Sequence, residues 1–323
     1  MTPHLVNQIL NPGLKSDETL HVIGVVQNSV RYHSRYRLFR EWVKEMLSTP
    51  HVKLYVVEAV HGDRLPECAP ECGEYEYYSV RTSSEIWLKE NLINLGVKHL
   101  LPSTWKYLAW VDGDVHFRNP NWARESLHQL QSYQIIQPWK DALDLSYDGG
   151  VLNHFKSFGY YSAKSMPQAP SVLNPYHKPY GHTGFAWACT RGFYEQVEKL
   201  LDFGILGAGD AHMAWACVGG VQGTINQQMQ DGYKHLANLW QEKAMYACSG
   251  LVGYTPGRLE HYWHGNKTNR KYGSRWQILV KYKFDPIKDL RYDAQGVLRL
   301  KGKKALEHAI MRYNRERCED DIN

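Results

Sequence analysis

The stretch HVIGVVQ, residues 21–27, constrains this chain more than any other segment. It is a nearly unbroken apolar run of strand length behind a polar lead-in. Such a run has no solvent face, so it reads as a strand covered on both sides in a parallel sheet. Ser34 follows as the candidate N-cap of a helix over 35–47, in which Leu38, Trp42 and Met46 recur at helical spacing beside Phe39, Val43 and Leu47. KLYVVEAV at 53–60 predicts a second covered strand and 75–81 a third. A second helix is expected over 83–95, opened by Ser83, Ser84 and Glu85, and KYLAWV at 106–111 reads as a further strand. Strand and helix in alternation imply right-handed βαβ crossovers, hence an α/β fold with a mostly parallel central sheet flanked by helices.

With 323 residues, 43% of them hydrophobic, the chain can bury a full core without disulfide staples. Of its six cysteines only Cys68 and Cys72 are close, and no further Cys or His pair beside them completes a structural zinc site. Free thiols in a reducing, cytoplasmic setting are expected, the host cytoplasm if the source is viral. The first thirty residues lack a basic start followed by an apolar stretch, and no apolar run approaches the ~18 residues of a membrane span, so neither signal peptide nor membrane partner is expected. The Gly-, Tyr- and Pro-rich stretch 147–181 reads as loop, 184–190 as strand, 191–201 as helix and 211–218 as a helix opening after Asp210. From His264 onward the chain turns basic within a net charge of +5. We therefore expect one domain over 1–265 and a basic, mainly helical extension over 266–323 packed on it.

Open α/β sheets bind ligands beyond the carboxyl ends of their strands. Here those ends carry Gln27, Asn28 and Arg31, then Glu58, then Asp112, Gly113 and Asp114. Two carboxylates separated by a glycine offer hard oxygen ligands to one cation, with the glycine expected to ease a tight turn. Asp-x-Asp triplets are also ordinary surface turns, but a buried strand leading into this one favours the cation site. HYWHGNK, 261–267, adds imidazoles and Lys267: a distant His264 as a further ligand and a cation to meet an anionic leaving group, or else an aromatic cluster with solvated histidines. GAGDAHMAW, 207–215, puts Asp210 at a helix mouth. There it either caps the helix or, with glycines allowing close approach of a ligand, serves as a general base. Eleven Trp and 22 Tyr are many, and Trp87, Trp187 and Trp263 flank these polar motifs.

Together, the helix with Asn94-Leu-Gly96 and the strand ending in Asp112-Gly-Asp114 resemble the nucleotide-binding half of GT-A fold glycosyltransferases, over about residues 20–265. The resemblance implies Mn2+ or Mg2+ on Asp112, Asp114 and His264, and a nucleotide-sugar donor. It implies Asp210 as the base of a metal-dependent, inverting hexosyl transfer. Donor contacts are expected from Gln27, Asn28, Arg31, Glu58, Lys89, Asn91, Asn94, Gly113 and Lys267, and acceptor contacts from Trp187, His212 and Trp215. SEIWLKENLINLG, KYLAWVDGDVHFRNPNW, GDAHMAW and the tail FDPIKDLRYDAQGVLRL with ERCEDD look like glycosyltransferases of viruses and bacteriophages that act on 5-hydroxymethylpyrimidines in DNA. That similarity implies UDP-glucose or another UDP-hexose as donor, DNA carrying 5-hydroxymethylcytosine or 5-hydroxymethyluracil as partner, and a role for the basic tail in gripping phosphates. A solvated helical face accounts for the tail equally well, because carboxylates are interspersed with its cations.

Glycan or protein acceptors fit the same machinery. A haloacid-dehalogenase-like phosphatase also ends a strand in Asp-x-Asp, but normally on its first strand, whereas over a hundred residues precede this one. A non-catalytic nucleic-acid- or glycan-binding module holding a structural ion is the remaining alternative.

Overall fold

The computed structural model describes residues 18–166, 168–169 and 180–322. In chain order its strands and helices are β1 (Leu20–Gln27), α1 (His33–Ser48), β2 (Val52–His61), β3 (Glu76–Thr82), α2 (Lys89–His99), β4 (Tyr107–Val111), β5 (Val115–Phe117) and α3 (Trp122–Gln129). Then come β6 (Ile135–Gln137), β7 (Asp141–Leu145), β8 (Val151–Lys156), α4 (Phe158–Ala163), β9 (Ala186–Thr190), α5 (Arg191–Gln196), α6 (Gly209–Cys217) and α7 (Asp231–Cys248). The last elements are β10 (Gly253–Tyr254), β11 (Arg258–His261), α8 (Trp276–Lys281), α9 (Pro286–Asp289), β12 (Leu290–Tyr292), β13 (Leu298–Leu300) and α10 (Lys304–Glu316).

Seven strands form the central sheet in the order β10-β6-β9-β4-β1-β2-β3. β1, β2, β3 and β4 pair in parallel, and β9 runs antiparallel between β4 and β6. This is the mostly parallel α/β sheet that the apolar runs imply. Alternate residues feed opposite faces: Val22, Leu54, Val56 and Ala109 join Phe39 and Trp42 of α1 in one core, while Ile23, Tyr55, Val57 and Trp110 join Leu92 and Ile93 of α2 in the other. Trp276, Leu306, Ile310 and Tyr313 of the C-terminal segment belong to the second core, so the basic extension is packed into the main body. A second sheet, β5-β11-β7-β8, lies beyond the end of β4.

Several local expectations shift. The helix expected from Ser83 begins at Lys89, because the Gln27 side chain accepts from the Leu88 amide at 2.9 Å and donates to the Ile86 carbonyl at 2.5 Å, holding 86–88 outside the helix. Ser34 does not cap α1: the amides of His33 and Ser34 donate instead to the Asp320 carboxylate at 2.9 and 2.8 Å. The segment 147–181 contains β8 and α4, while 167 and 170–179 within it lie outside the described residues. α5 ends at Gln196, short of Leu201, where Glu198 takes φ +67° and turns the chain.

Candidate functional site: a carboxylate and histidine cleft at the end of β4

Backbone register builds the site. β4 ends at Val111, and the chain re-enters the second sheet at Val115, which pairs antiparallel with His261 of β11. The Tyr262 amide then donates to the Asp114 carbonyl at 2.9 Å, which brings the HYWH turn over Asp114. On its other side β11 pairs in parallel with β7, with His261 opposite Asp144. Their side chains meet: His261 Nδ1 lies 2.7 Å from Asp144 Oδ1.

Asp114, His261 and His264 each turn one ligand atom to a common point, all within 4.8 Å of one another. Asp114 Oδ2 is 2.9 Å from His264 Nε2 and 3.8 Å from His261 Nε2. Because His261 gives its Nδ1 proton to Asp144, its Nε2 is a bare lone pair. His264 Nε2 accepts from Arg270 at 2.7 Å, so it carries no proton of its own and its lone pair is taken by that guanidinium, which a cation would have to displace. Three electron-pair donors therefore converge, one of them engaged by Arg270, and Asp114 Oδ1 is buried without a hydrogen-bond partner. Two imidazoles and a carboxylate are a fitting ligand set for a divalent cation, which would displace any protons the rings share with Asp114. Burial works against the charged form of Asp114, but His261, His264 and Arg270 outweigh it and hold the carboxyl well below its ordinary range. Burial likewise lowers the His261 pKa, which favours the neutral ring a metal needs.

Asp112 stands apart from this group. Its Oδ1 is 2.5 Å from the Lys89 ammonium at the start of α2, and the same ammonium lies 3.2 Å from Asp210 Oδ2. Lys89 thus bridges the two carboxylates. Burial and the neighbouring carboxylates push Asp112 up to about 7 and Glu90, packed behind them, up to about 8. Asp210 lies in the first turn of α6 but does not cap it; the N-cap is Ala208, at φ +76° and with no side-chain bond. The expected grouping of Asp112, Asp114 and His264 is therefore split: His261 completes the ligand group, and Asp112 joins Lys89 and Asp210.

The glycines serve packing. Gly113 keeps a negative φ, and a Cβ there would lie 2.6 Å from the Phe39 ring, so α1 rather than a tight turn explains it. A Cβ on Gly209 would lie 2.2 Å from the Glu90 carboxylate, so this glycine admits Glu90 and not a ligand.

Other expected contacts hold the framework. Asn28 closes a turn onto both backbone groups of Tyr32, and Glu58 accepts from the amides of Glu67 and Cys68 and from the Tyr77 hydroxyl. Arg31 is exposed and paired with Glu67. Asn91 bonds to the backbone of Gly296 and Leu298, and Asn94 to Leu200, away from the carboxylates. Lys267 binds Asp144, behind His261. Trp187 is buried in β9 opposite Trp110, and His212 is fully buried between Thr224 and Tyr233, so neither presents a surface to an acceptor. Trp215 is half-buried edge-on to Phe158. Asp144 and Glu90 escaped the sequence reading because their roles depend on strand register and helix packing. His261 was visible as the first histidine of an H-x-x-H pair.

Of the tail's cations, Lys271 pairs with Glu316, Arg299 with Asp293, Lys303 with Asp289 and Arg315 with Glu85, while Arg275, Lys281, Lys283, Arg291, Lys301, Lys304 and Arg312 form no ion pair with a carboxylate among the described residues. All six cysteines are free thiols, and among the described residues no helix is long and apolar enough to cross a membrane.

No protein-family model and no curated protein matches the sequence. Among solved structures, the chain is similar to a mannosyltransferase from Pyrobaculum calidifontis in complex with GDP-mannose and Mn2+: 12% identity, TM-score 0.46, covering 96% of this chain and 76% of that one. A mutant Drosophila β1,4-galactosyltransferase 7 in complex with manganese, UDP-galactose and xylobiose shares 11% identity over 90% of this chain and 99% of that one, with TM-score 0.42. An inositol-1-phosphate CTP transferase from T. maritima shares 9% over 81% and 98%, with TM-score 0.39. Similarity at this level leaves the chemistry to be argued from the side chains themselves.

Proposed function

We propose that this chain is a metal-dependent glycosyltransferase of the GT-A type, moving a sugar from a nucleotide-sugar donor to an acceptor hydroxyl. The observation that carries the reading is the convergence of Asp114, His261 and His264 on one point at the end of β4, beside a second cluster of Lys89, Asp112 and Asp210. Asp114 and the two imidazoles hold Mn2+ or Mg2+. When bound there, the cation supplies Lewis-acid stabilisation of a departing diphosphate. Lys89 carries a charge that Asp112 and Asp210 sustain against burial, and it ties the two carboxylates together. Asp210 accepts the proton of the incoming hydroxyl, and a single displacement assisted in this way inverts the anomeric centre.

The position of the acidic pair argues against the phosphatase alternative. It follows the fourth strand, Asp114 alone faces the histidine pair, and Asp112 is bound to an ammonium that blunts it as a nucleophile.

The test incubates the purified protein with Mn2+ and a panel of nucleotide sugars, UDP-glucose among them. Acceptors are simple glycosides, peptides, and duplex DNA with or without 5-hydroxymethylpyrimidines, and products are weighed by mass spectrometry. Transfer of one hexose, abolished by chelator and by Asp114→Asn, is expected. Hexose gain confined to hydroxymethylated DNA would assign a DNA acceptor, and gain on glycosides or peptides alone would assign a small one. Tight acceptor binding without donor turnover would sink the transferase reading in favour of a binding module.

A further inference from the structure

Each candidate ligand histidine is backed by a buried carboxylate. For His261 it is Asp144, placed by strand register. For His264 it comes from the segment after α10: Nδ1 lies 3.4 Å from Oε2 of Glu319. Glu319 is 1% exposed and is gripped by Arg35 through Nε at 2.5 Å and Nη2 at 2.7 Å, with Arg317 at 2.6 Å.

We propose that Glu319 is a positioning residue of the metal site: it keeps the His264 proton on Nδ1 so that Nε2, which accepts from Arg270 in the metal-free protein, faces Asp114 with its lone pair. The proposal rests on the metal-site reading above. A metal-ligating imidazole needs its second nitrogen anchored to a carboxylate or carbonyl, which selects the tautomer, fixes the ring and raises its basicity. Among the described contacts, Glu319 is the carboxylate that meets Nδ1 of His264.

The local chain is shaped to put it there. Gly265 takes φ +85°, and a Cβ on it would lie 2.7 Å from the Glu319 Cα, so the residue after His264 is a glycine where the tail passes. Trp263 Nε1 donates to the Asp321 carbonyl at 3.0 Å, and the Ser34 hydroxyl donates to the Glu319 carbonyl at 3.0 Å. Asp320 anchors the same segment on the first amides of α1. Neutralising Arg35 and Arg317 alone would not require this placement against the imidazole; the fit of 318–321 to 263–265 does. Glu319 thereby does for His264 what Asp144 does for His261, and both imidazoles present the same nitrogen to one point.

The experiment measures Mn2+ affinity of the full chain by calorimetry for wild type, Glu319→Gln and Asp320→Asn. Loss of an outer carboxylate typically weakens metal binding about 10- to 100-fold. We expect that loss for Glu319→Gln. Asp320→Asn, which loosens the tail without touching His264, should stay within about two-fold of wild type. In parallel, long-range 1H–15N spectra of the metal-free wild type report the tautomer directly and do not depend on a variant folding; a proton on His264 Nδ1 is expected. Unchanged Mn2+ affinity in Glu319→Gln, equal losses in both variants, or a His264 proton on Nε2 would each overturn the assignment while leaving the metal site standing. Absence of Mn2+ binding by the wild type would overturn both.

Discussion

Asp112 and Asp114 are two residues apart on one strand end, similarly exposed, and chemically opposite. Asp112 faces an ammonium shared with Asp210 and sits beside Glu90, and its carboxyl is pushed up to about 7. Asp114 faces two imidazoles and Arg270 and is held well below the ordinary carboxylate range. Burial raises both; what differs is the balance of neighbouring charge. On one side of the cleft three carboxylates compete for one cation, which suits proton handling. On the other a lone carboxylate is surrounded by nitrogen ligands, which suits a metal. An Asp-x-Asp pair is thus two functions made different by what the fold sets against each member.

The sharpest way to break this division is to swap the pair. Asp114→Asn should abolish Mn2+ binding and lower transfer about 1000-fold or more, since several kcal/mol of charge stabilisation is lost. Asp112→Asn should leave Mn2+ affinity, read by calorimetry, nearly intact, and equal losses from both variants would erase the distinction. Asp210→Asn should cost about 100- to 10,000-fold in kcat, the range of a general base, with metal affinity unchanged. Lys89→Met leaves buried carboxylates without their cation and should destabilise the metal-free protein by about 3–5 kcal/mol in urea unfolding.

A pH series sharpens the same contrast. Glu90 has a folded pKa of about 8, above its ordinary value, so between about 4.5 and 8 the folded state binds more protons than the unfolded one. Its contribution is fully present below the ordinary carboxylate pKa and is lost as pH rises through about 8. Asp112, pushed up to about 7, titrates in the same direction, so metal-free stability should fall across that window by up to ~1.4 kcal/mol per pH unit for each of the two groups. Glu90→Gln should roughly halve the slope, leaving the part due to Asp112, and an unchanged slope would place the titration elsewhere. The smallest effect belongs to Gly113→Ala, whose Cβ would press the Phe39 ring at 2.6 Å; about 1–3 kcal/mol of overpacking should appear as a lowered Tm.

Much of the frame was legible because a strand covered on both faces has one reading. HVIGVVQ, KLYVVEAV and KYLAWV all became parallel strands of the central sheet, and the 3.6-residue period of Leu38, Trp42 and Met46 became α1. Helix beginnings were less legible. Ser34 has the chemistry of a cap, yet Asp320 from across the molecule satisfies those amides. Ser83 to Glu85 look like a helix start, yet Gln27 holds 86–88 out of the helix until Lys89. In both places a distant side chain outcompeted the local one.

The sequence by itself determined the α/β class, the strand that ends in Asp112 and Asp114, and the segments that carry candidate chemistry. Residue types and periodicity suffice for these, because burial on one or two faces is written into neighbouring positions. Tertiary structure alone decided which carboxylate meets which cation. The β5–β11 and β11–β7 registers set His261 between Asp114 and Asp144. The start of α2 gives Lys89 to Asp112 and Asp210, and the returning tail brings Glu319 to His264. The physical reason is range: apolar burial is a property of each segment, whereas a titratable group takes its chemistry from charges only a few ångströms away that the chain delivers from tens to more than a hundred residues off.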